Sequence, residues 1–267
     1  MNLKYYLNKA KKEKWALGQF NFSTLEQLRG ILAAAKKLKS PVILGVSQGE
    51  LGYLGAEEII ALTEISKMKY KAAAFLNLDH GRDLDLIKKW INFGCSAVHF
   101  DGSGFSFEKN IEYAKKVVKN ARRKGVLVEG EIDGIGGKKL SSLTETKKFL
   151  NAVKADSLAI AIGNKHGCFK NVKLNFKRLK EFKDNTNVFL VLHGGSGISN
   201  LQIKKAVKEG IVKINVNTEI RLAWKEGLRK ALNCPEIKPY KIMPKVQAQI
   251  QKKVEEKIKL FGSNNKI

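Results

Sequence analysis

Three of the four histidines in this 267-residue sequence, His80, His166 and His193, are each followed directly by a glycine. Three neutral imidazoles with a fourth position left open are the donor set of a catalytic zinc. Glycine after each one lets the chain turn tightly and lets an ion or substrate approach the backbone. The segment AFLNLDHG, 74–81, sets Asp79 beside His80, and a carboxylate in such a place can act as a general acid or base. Asp101, Glu129 and Glu131 are further carboxylates, available either to hold a second metal or to orient the ligating imidazoles. The fourth histidine, His99, lies inside an apolar run two residues before Asp101, on the same strand face, and reads as a supporting group. Glycine-rich HGGSGI at 193–198 and NVNT at 215–218 offer backbone N–H groups and a helix N-terminus, which suit a phosphate.

Such groups need a frame that brings them to one place. Short apolar or β-branched runs recur at 16–20, 41–47, 72–78, 96–100, 126–131, 157–162, 187–192 and 211–216. Between them lie helix-like stretches at 24–39, 55–69, 83–93, 107–124, 143–154, 175–183, 199–209 and 218–232, several opened by Ser, Thr, Asp or Asn as N-caps. Strands alternating with helices imply parallel pairing with right-handed crossovers. Eight such units point to an α/β fold, a (β/α)₈ TIM barrel, for which ~250 residues is typical. The whole chain, 1–267, reads as a single barrel domain. Residues 240–267 form a C-terminal helical extension available to a partner subunit. In a barrel the chemistry sits at the C-terminal ends of the strands, and nearly every strand end here is polar: Ser47, Asp79-His80, Asp101, Glu129 and Glu131, Asn164 to Gly167, His193 to Gly197, and Asn215 to Thr218.

Composition narrows the class. A formal charge of +25 suits either a nucleic-acid binder or a protein of anionic metabolites. Of the 50 basic residues 43 are lysine, scattered singly or in pairs on helix-like stretches (Lys36-Lys37, Lys88-Lys89, Lys115-Lys116, Lys204-Lys205). Base and phosphate readers favour arginine, so the lysines read as solvated surface and nucleic acid is not the expected partner. No apolar stretch suits a membrane helix, and MNLKYYLNKAKKEKW lacks a secretory apolar core, so a cytoplasmic protein is expected. Cys95, Cys168 and Cys234 are far apart with no CxxC pair and read as reduced, packed thiols.

The sequence resembles the class II, metal-dependent ketose-bisphosphate aldolases through nearly its whole length. The resemblance is carried by GQFNFSTLEQ (18–27), ILGVSQG (43–49), NLDHG (77–81), AVHFDGS (97–103), VEGEIDGIGG (128–137), LAIAIGNKHG (158–167), LHGGSGI (192–198) and NVNTEIR (215–221). It implies a zinc held by His80, His166 and His193, a second metal position at Asp101 and Glu131, and a monovalent cation, Na⁺ or K⁺, near the phosphate loops. Asp79 becomes the acid/base at the oxygen of the bond being made or broken. Asn21 and Ser47 would contact substrate. The phosphate of dihydroxyacetone phosphate would meet Gly167, Lys170, Gly194, Gly195, Ser196, Asn215, Val216, Asn217 and Thr218. The implied reaction is reversible cleavage of fructose 1,6-bisphosphate to dihydroxyacetone phosphate and glyceraldehyde 3-phosphate by a homodimer or higher oligomer, with tagatose 1,6-bisphosphate the alternative. One family feature is missing. After GG, where relatives carry an acidic pair and a mobile loop, this sequence has Lys138 and Lys139 in a shorter loop. Asp133 and Glu145 are the nearest carboxylates, and a member with altered or lost activity is the corresponding alternative. Two further readings are a Schiff-base aldolase using Lys213 or Lys165, and a non-catalytic nucleic-acid-binding barrel.

Overall fold

The computed structural model describes residues 1–137, 140–167 and 172–267. Helix α1 (Leu3–Glu13) precedes β1 (Leu17–Asn21), α2 (Leu25–Lys37) and β2 (Val42–Ser47). Then come α3 (Gln48–Leu54), α4 (Ala56–Tyr70), β3 (Ala74–Gly81), α5 (Leu84–Asn92), β4 (Ala97–Asp101) and α6 (Phe107–Arg122). The second half runs β5 (Leu127–Glu131), α7 (Leu143–Val153), β6 (Ser157–Ala159), α8 (Phe176–Asn185), β7 (Phe189–Leu192) and α9 (Asn200–Lys208). Last are β8 (Ile211–Val216), α10 (Thr218–Leu232) and α11 (Pro239–Phe261). All eight strands are parallel and close in the order β1 to β8, with β8 pairing back on β1. This is the expected (β/α)₈ barrel.

Strand residues divide by parity. Phe20, Leu44, Leu76, Val98, Val128, Leu158, Leu190 and Ile214 point outward into the core shared with the helices. Inward, the lowest layer is apolar: Leu17, Ile43, Phe75, Ala97 and Phe189, closed from below by Leu3, Tyr6, Leu7 and Ala10 of α1. Above that layer the interior turns polar, with Gln19, Asn77, His99, Glu129 and Lys213 all buried. Asn77 Nδ2 donates to Gln19 Oε1 at 2.8 Å, and Lys213 Nζ donates to Glu129 Oε2 at 2.7 Å. Buried polar groups are normally paired, and Glu129 also reaches up to His193 Nε2 at 2.6 Å, so this polar layer helps to hold a side chain above it.

The helix caps follow the sequence closely. Thr24, Asp83, Ser106, Ser142, Asn175 and Ser199 each accept a first-turn backbone N–H, contributing about 1 kcal/mol apiece. Two helices escaped the reading, α1 and α3. The latter is signalled by a capping box in which Ser47 and Glu50 bond reciprocally. The C-terminal extension is the helix expected, α11. Its stripe Ile242, Val246, Ile250, Val254 and Ile258 is buried in the protein's own core. Gly30 of α2 and Gly227 of α10 let that stripe approach closely, since a Cβ at either would crowd Ile250 or Val246. The paired lysines sit exposed on α2, α5, α6 and α9, helices spread around the barrel. Cys95 is buried, which pushes its thiol up to about 12, and Cys234 is a free thiol; Cys168 lies outside the described residues. No helix among the described residues is long and apolar enough to cross a membrane.

Candidate metal and phosphate site

Neighbouring residues of a regular strand face opposite ways, yet Asp79 and His80 line the same cleft. The strand accommodates this with a bulge. Pairing of β3 with β4 runs in register to Leu78↔Val98 and then jumps to Gly81↔Phe100, and His80 takes a left-handed φ of 54°. The expected strand 72–78 therefore runs on to Gly81. One extra residue re-aims the side chain, and the backbone N–H that the bulge frees donates to His99 Nδ1 at 3.1 Å. His99, fully buried, thus supports the unusual backbone of its neighbour.

The imidazoles converge. His80 Nε2 lies 3.1 Å from His193 Nδ1, and the His166 ring centroid is 4.9 Å from that of His80 and 6.1 Å from that of His193. Ligand atoms of Asp79, His80, His99 and His193 fall within one 4.8 Å group, and those of His80, Asp101 and Glu131 within another. His166 stands beside these groups as the looser member. His193 and His166 are pushed down to about 4, by burial first and then by the neighbouring imidazoles, so both offer neutral lone pairs. Burial pulls His80 down too, but its bond to Asp101 and the charges of Asp79 and Glu131 prevail and raise it to about 9.

These residues fit a divalent metal. Two imidazole nitrogens 3.1 Å apart are close to the edge of a tetrahedron built on the ~2.0–2.1 Å Zn–N bond. Four buried carboxylates, Asp79, Asp101, Glu129 and Glu131, surround the group, and Glu131 Oε2 lies 3.1 Å from His99 Nε2 and 3.8 Å from His80 Nδ1. Asp101 is heavily engaged: it accepts from Arg82 at 2.7 and 3.0 Å, from Ser103 Oγ at 2.6 Å, and meets His80 Nδ1 at 3.1 Å. Asp79 accepts from Asn21 Nδ2 at 2.9 Å and Asn215 Nδ2 at 3.0 Å. Burial raises its carboxyl, but the positive charges nearby, His80 first and Lys213 beyond it, hold it well below the usual carboxylate range.

The opposite wall is glycine-rich. Gly194 has φ +62°, and a Cβ there would collide with the Lys165 carbonyl of the loop carrying His166. Asn164 ties the same loop down, accepting from Ile162 N at 2.8 Å and donating to the His193 carbonyl at 2.9 Å. Ile162 N is thus taken by a side chain, and β6 ends at Ala159, short of the expected 162, with Ile160 N its last bond to β7. Substituting Gly194 by alanine is expected to displace the His166 loop, lowering zinc affinity at least tenfold and the melting temperature by several degrees; titration and calorimetry check both. The cleft is lined by Ser47, His166, Gly167, Gly194, Ser196, Asn215, Asn217 and Thr218 as well as Asp79, His80 and His193. Asn21, Gly195, Val216, Asp101 and Glu131 stand outside that lining. Two N–H groups expected to cradle an anion are already engaged, Gly195 N with the Asn215 carbonyl and Gly197 N with Glu219. Lys170, Lys138 and Lys139 lie outside the described residues.

One cleft residue was missed, and one that supports it. Arg221 lines the cleft and donates to Glu50 Oε1 at 2.9 Å, while Glu50 Oε2 accepts from Asn21 at 3.0 Å. The Ser47-x-x-Glu50 spacing was the available signal for Glu50; Arg221, on the first turn of a helix opening at the barrel mouth, was the signal for itself. Asp133 and Glu145 are both committed elsewhere. Asp133 accepts from Ser141 N and Oγ at 2.7 and 2.5 Å and meets Arg178 at 3.3 Å. Glu145 closes the capping box of α7 with Ser142.

Residues 1–266 match the family model described as "Fructose-bisphosphate aldolase class-II". The chain is 37% identical over 273 residues to the 6-phospho-5-dehydro-2-deoxy-D-gluconate aldolase of Shouchella clausii (strain KSM-K16), covering 96% of this chain and 92% of that one. It is 36% identical over 281 residues to the fructose-bisphosphate aldolase of Geobacillus stearothermophilus, covering 100% and 98%. Among solved structures, the YdjI aldolase of Escherichia coli K12 superposes with a TM-score of 0.91 at 32% identity, over 99% of this chain and 98% of that one.

Proposed function

The chain belongs to the class II fructose-bisphosphate aldolase family, metal-dependent aldehyde-lyases, and from that premise we propose that it cleaves fructose 1,6-bisphosphate reversibly at a zinc held by His80, His166 and His193. The observation that carries the reading is the group formed by Asp79, His80 and His193 at one end of the barrel. A bound zinc supplies Lewis acidity at the substrate ketone. Asp79, ionised between the amides of Asn21 and Asn215, takes the hydroxyl proton in cleavage and returns it to the aldehyde oxygen in synthesis. Asp101 orients His80, and Glu131, between His99 and His80, is the carboxylate offered to a second cation.

The phosphate of the dihydroxyacetone half meets Gly167, Gly194, Ser196, Asn217 and Thr218, with a monovalent cation nearby. Arg221 offers a guanidinium fork to the other anionic end of the substrate. Lys213 is no Schiff-base candidate in this reading, because its Nζ is ion-paired with Glu129 inside the barrel. We read the protein as cytoplasmic and glycolytic. Exposed Leu222 and Leu232 of α10, Ile237 between the two helices and Tyr240 of α11 are the surface offered to a second copy in a homodimer.

The names of the two relatives divide on the far end of the substrate, a phosphate in one and a carboxylate in the other. The experiment is therefore a side-by-side assay of fructose 1,6-bisphosphate, tagatose 1,6-bisphosphate and 6-phospho-5-dehydro-2-deoxygluconate. Fructose 1,6-bisphosphate should turn over fastest, with activity abolished by a chelator and restored by zinc. Faster cleavage of either competitor corrects the substrate, and no turnover of any of the three by zinc-loaded protein overturns the reading.

A further inference from the structure

Deep in the barrel, below the cleft, Glu129 of β5 bridges two groups. Its Oε1 lies 2.6 Å from His193 Nε2 and its Oε2 2.7 Å from Lys213 Nζ of β8. All three side chains are buried, at 4, 0 and 5% exposure. A carboxylate only accepts hydrogen bonds, so Nε2 of His193 carries the ring proton. The lone pair is then on Nδ1, the nitrogen that faces His80 Nε2 at 3.1 Å. At its backbone the same residue is held by Asn164 Nδ2, which donates to the His193 carbonyl at 2.9 Å.

We infer that the Glu129–Lys213 ion pair is a positioning device that fixes the tautomer and aim of His193 and strengthens it as a metal ligand. The inference rests on the reading of His193 as a zinc ligand. Stability alone gives no reason for the pair, since a buried ion pair is often replaceable by apolar side chains of similar volume without loss. What apolar residues would not do is hold His193 Nε2–H. Lys213 acts one step further out: its ammonium, 2.7 Å from Oε2, holds the Glu129 carboxylate in the place from which Oε1 accepts the ring proton of His193.

The double variant E129M/K213M replaces both groups by apolar side chains of similar volume, leaving no buried ion unpaired and no acceptor for His193 Nε2–H. Zinc affinity of this variant and of the wild-type protein is measured by competition with a chromophoric chelator at one pH, with circular dichroism as the check on folding. The expected result is a folded variant binding zinc 10- to 100-fold more weakly, the usual range for loss of a partner behind a metal ligand. A folded variant whose affinity falls by less than tenfold assigns the pair a purely structural role and overturns the inference. Nitrogen-15 histidine spectra of the zinc-loaded wild-type protein give a second measurement that holds even where the variant fails to fold. They should show His193 protonated at Nε2 and ligated through Nδ1, and the opposite assignment overturns the inference. Wild-type protein that takes up no zinc removes the underlying metal reading itself, an outcome distinct from both.

Discussion

Replacing Asp79 by asparagine is expected to lower turnover of fructose 1,6-bisphosphate by about 10²- to 10⁴-fold, the range for loss of a general acid/base, while zinc affinity changes only a few-fold. The carboxylate lies between two amide donors, Asn21 Nδ2 at 2.9 Å and Asn215 Nδ2 at 3.0 Å. An asparagine at 79 presents one N–H₂ group to one of those donors, which alone would be a clash. Asn21 is held the other way by Glu50, to which its Nδ2 also donates, but Asn215 has a buried Oδ1 without a hydrogen-bond partner, so its amide can turn over and accept. The variant should therefore fold, and the loss falls on kcat and not on assembly of the site. The carboxyl of Asp79 is held well below the usual range by the surrounding cations, and it is ionised throughout the neutral range. The acid limb of the wild-type pH–rate profile should accordingly report the metal-binding histidines and not Asp79. Wild-type turnover by D79N would remove Asp79 from the chemistry.

The sequence was most informative where a residue's role follows from its place along a strand. Eight apolar runs, each ending in polar residues, were enough to give the barrel and to bring His80, His166 and His193 to one end of it. What escaped was anything that depends on a neighbour distant in the chain. Glu129 was placed at a strand end, as a carboxylate for a second metal or for orienting an imidazole, but VLVEGE alone does not show which groups it meets. Those partners, His193 and Lys213, lie 64 and 84 positions away. The bulge that turns His80 beside Asp79 was equally hidden, since a left-handed histidine has no signature of its own and depends on His99 to satisfy the freed N–H. Asp133 and Glu145 show the opposite error. Each is a carboxylate at a plausible sequence distance from the missing acidic pair, yet Ser141 and Arg178 hold the first and a helix cap uses the second. The cap was legible, because Ser142-x-x-Glu145 is the spacing of a capping box.

Apparent zinc affinity is expected to fall about tenfold for each pH unit below about 9, and zinc binding at pH 7 should release about one proton. The three histidines are not equivalent in the metal-free protein. His193 and His166, pushed down to about 4, are already neutral at pH 7 and give up no proton to the metal. His80 is the exception. Raised to about 9, it is protonated across the neutral range, with Nδ1 turned to Asp101 and Nε2 to the Nδ1 of His193. The proton between those two rings occupies the place of a cation, and a metal must displace it. As pH rises through about 9 that competitor leaves and affinity levels off. As pH falls toward 4 the other two imidazoles begin to compete as well, and the dependence steepens toward three protons per metal. Calorimetric titration in buffers of different ionisation enthalpy measures the proton count directly. Release of no proton at pH 7 would show that the carboxylates around His80 do not hold it charged, and that the metal is recruited by neutral imidazoles alone. Release near one identifies Asp79, Asp101 and Glu131 together as the charge that draws a dication into the barrel mouth.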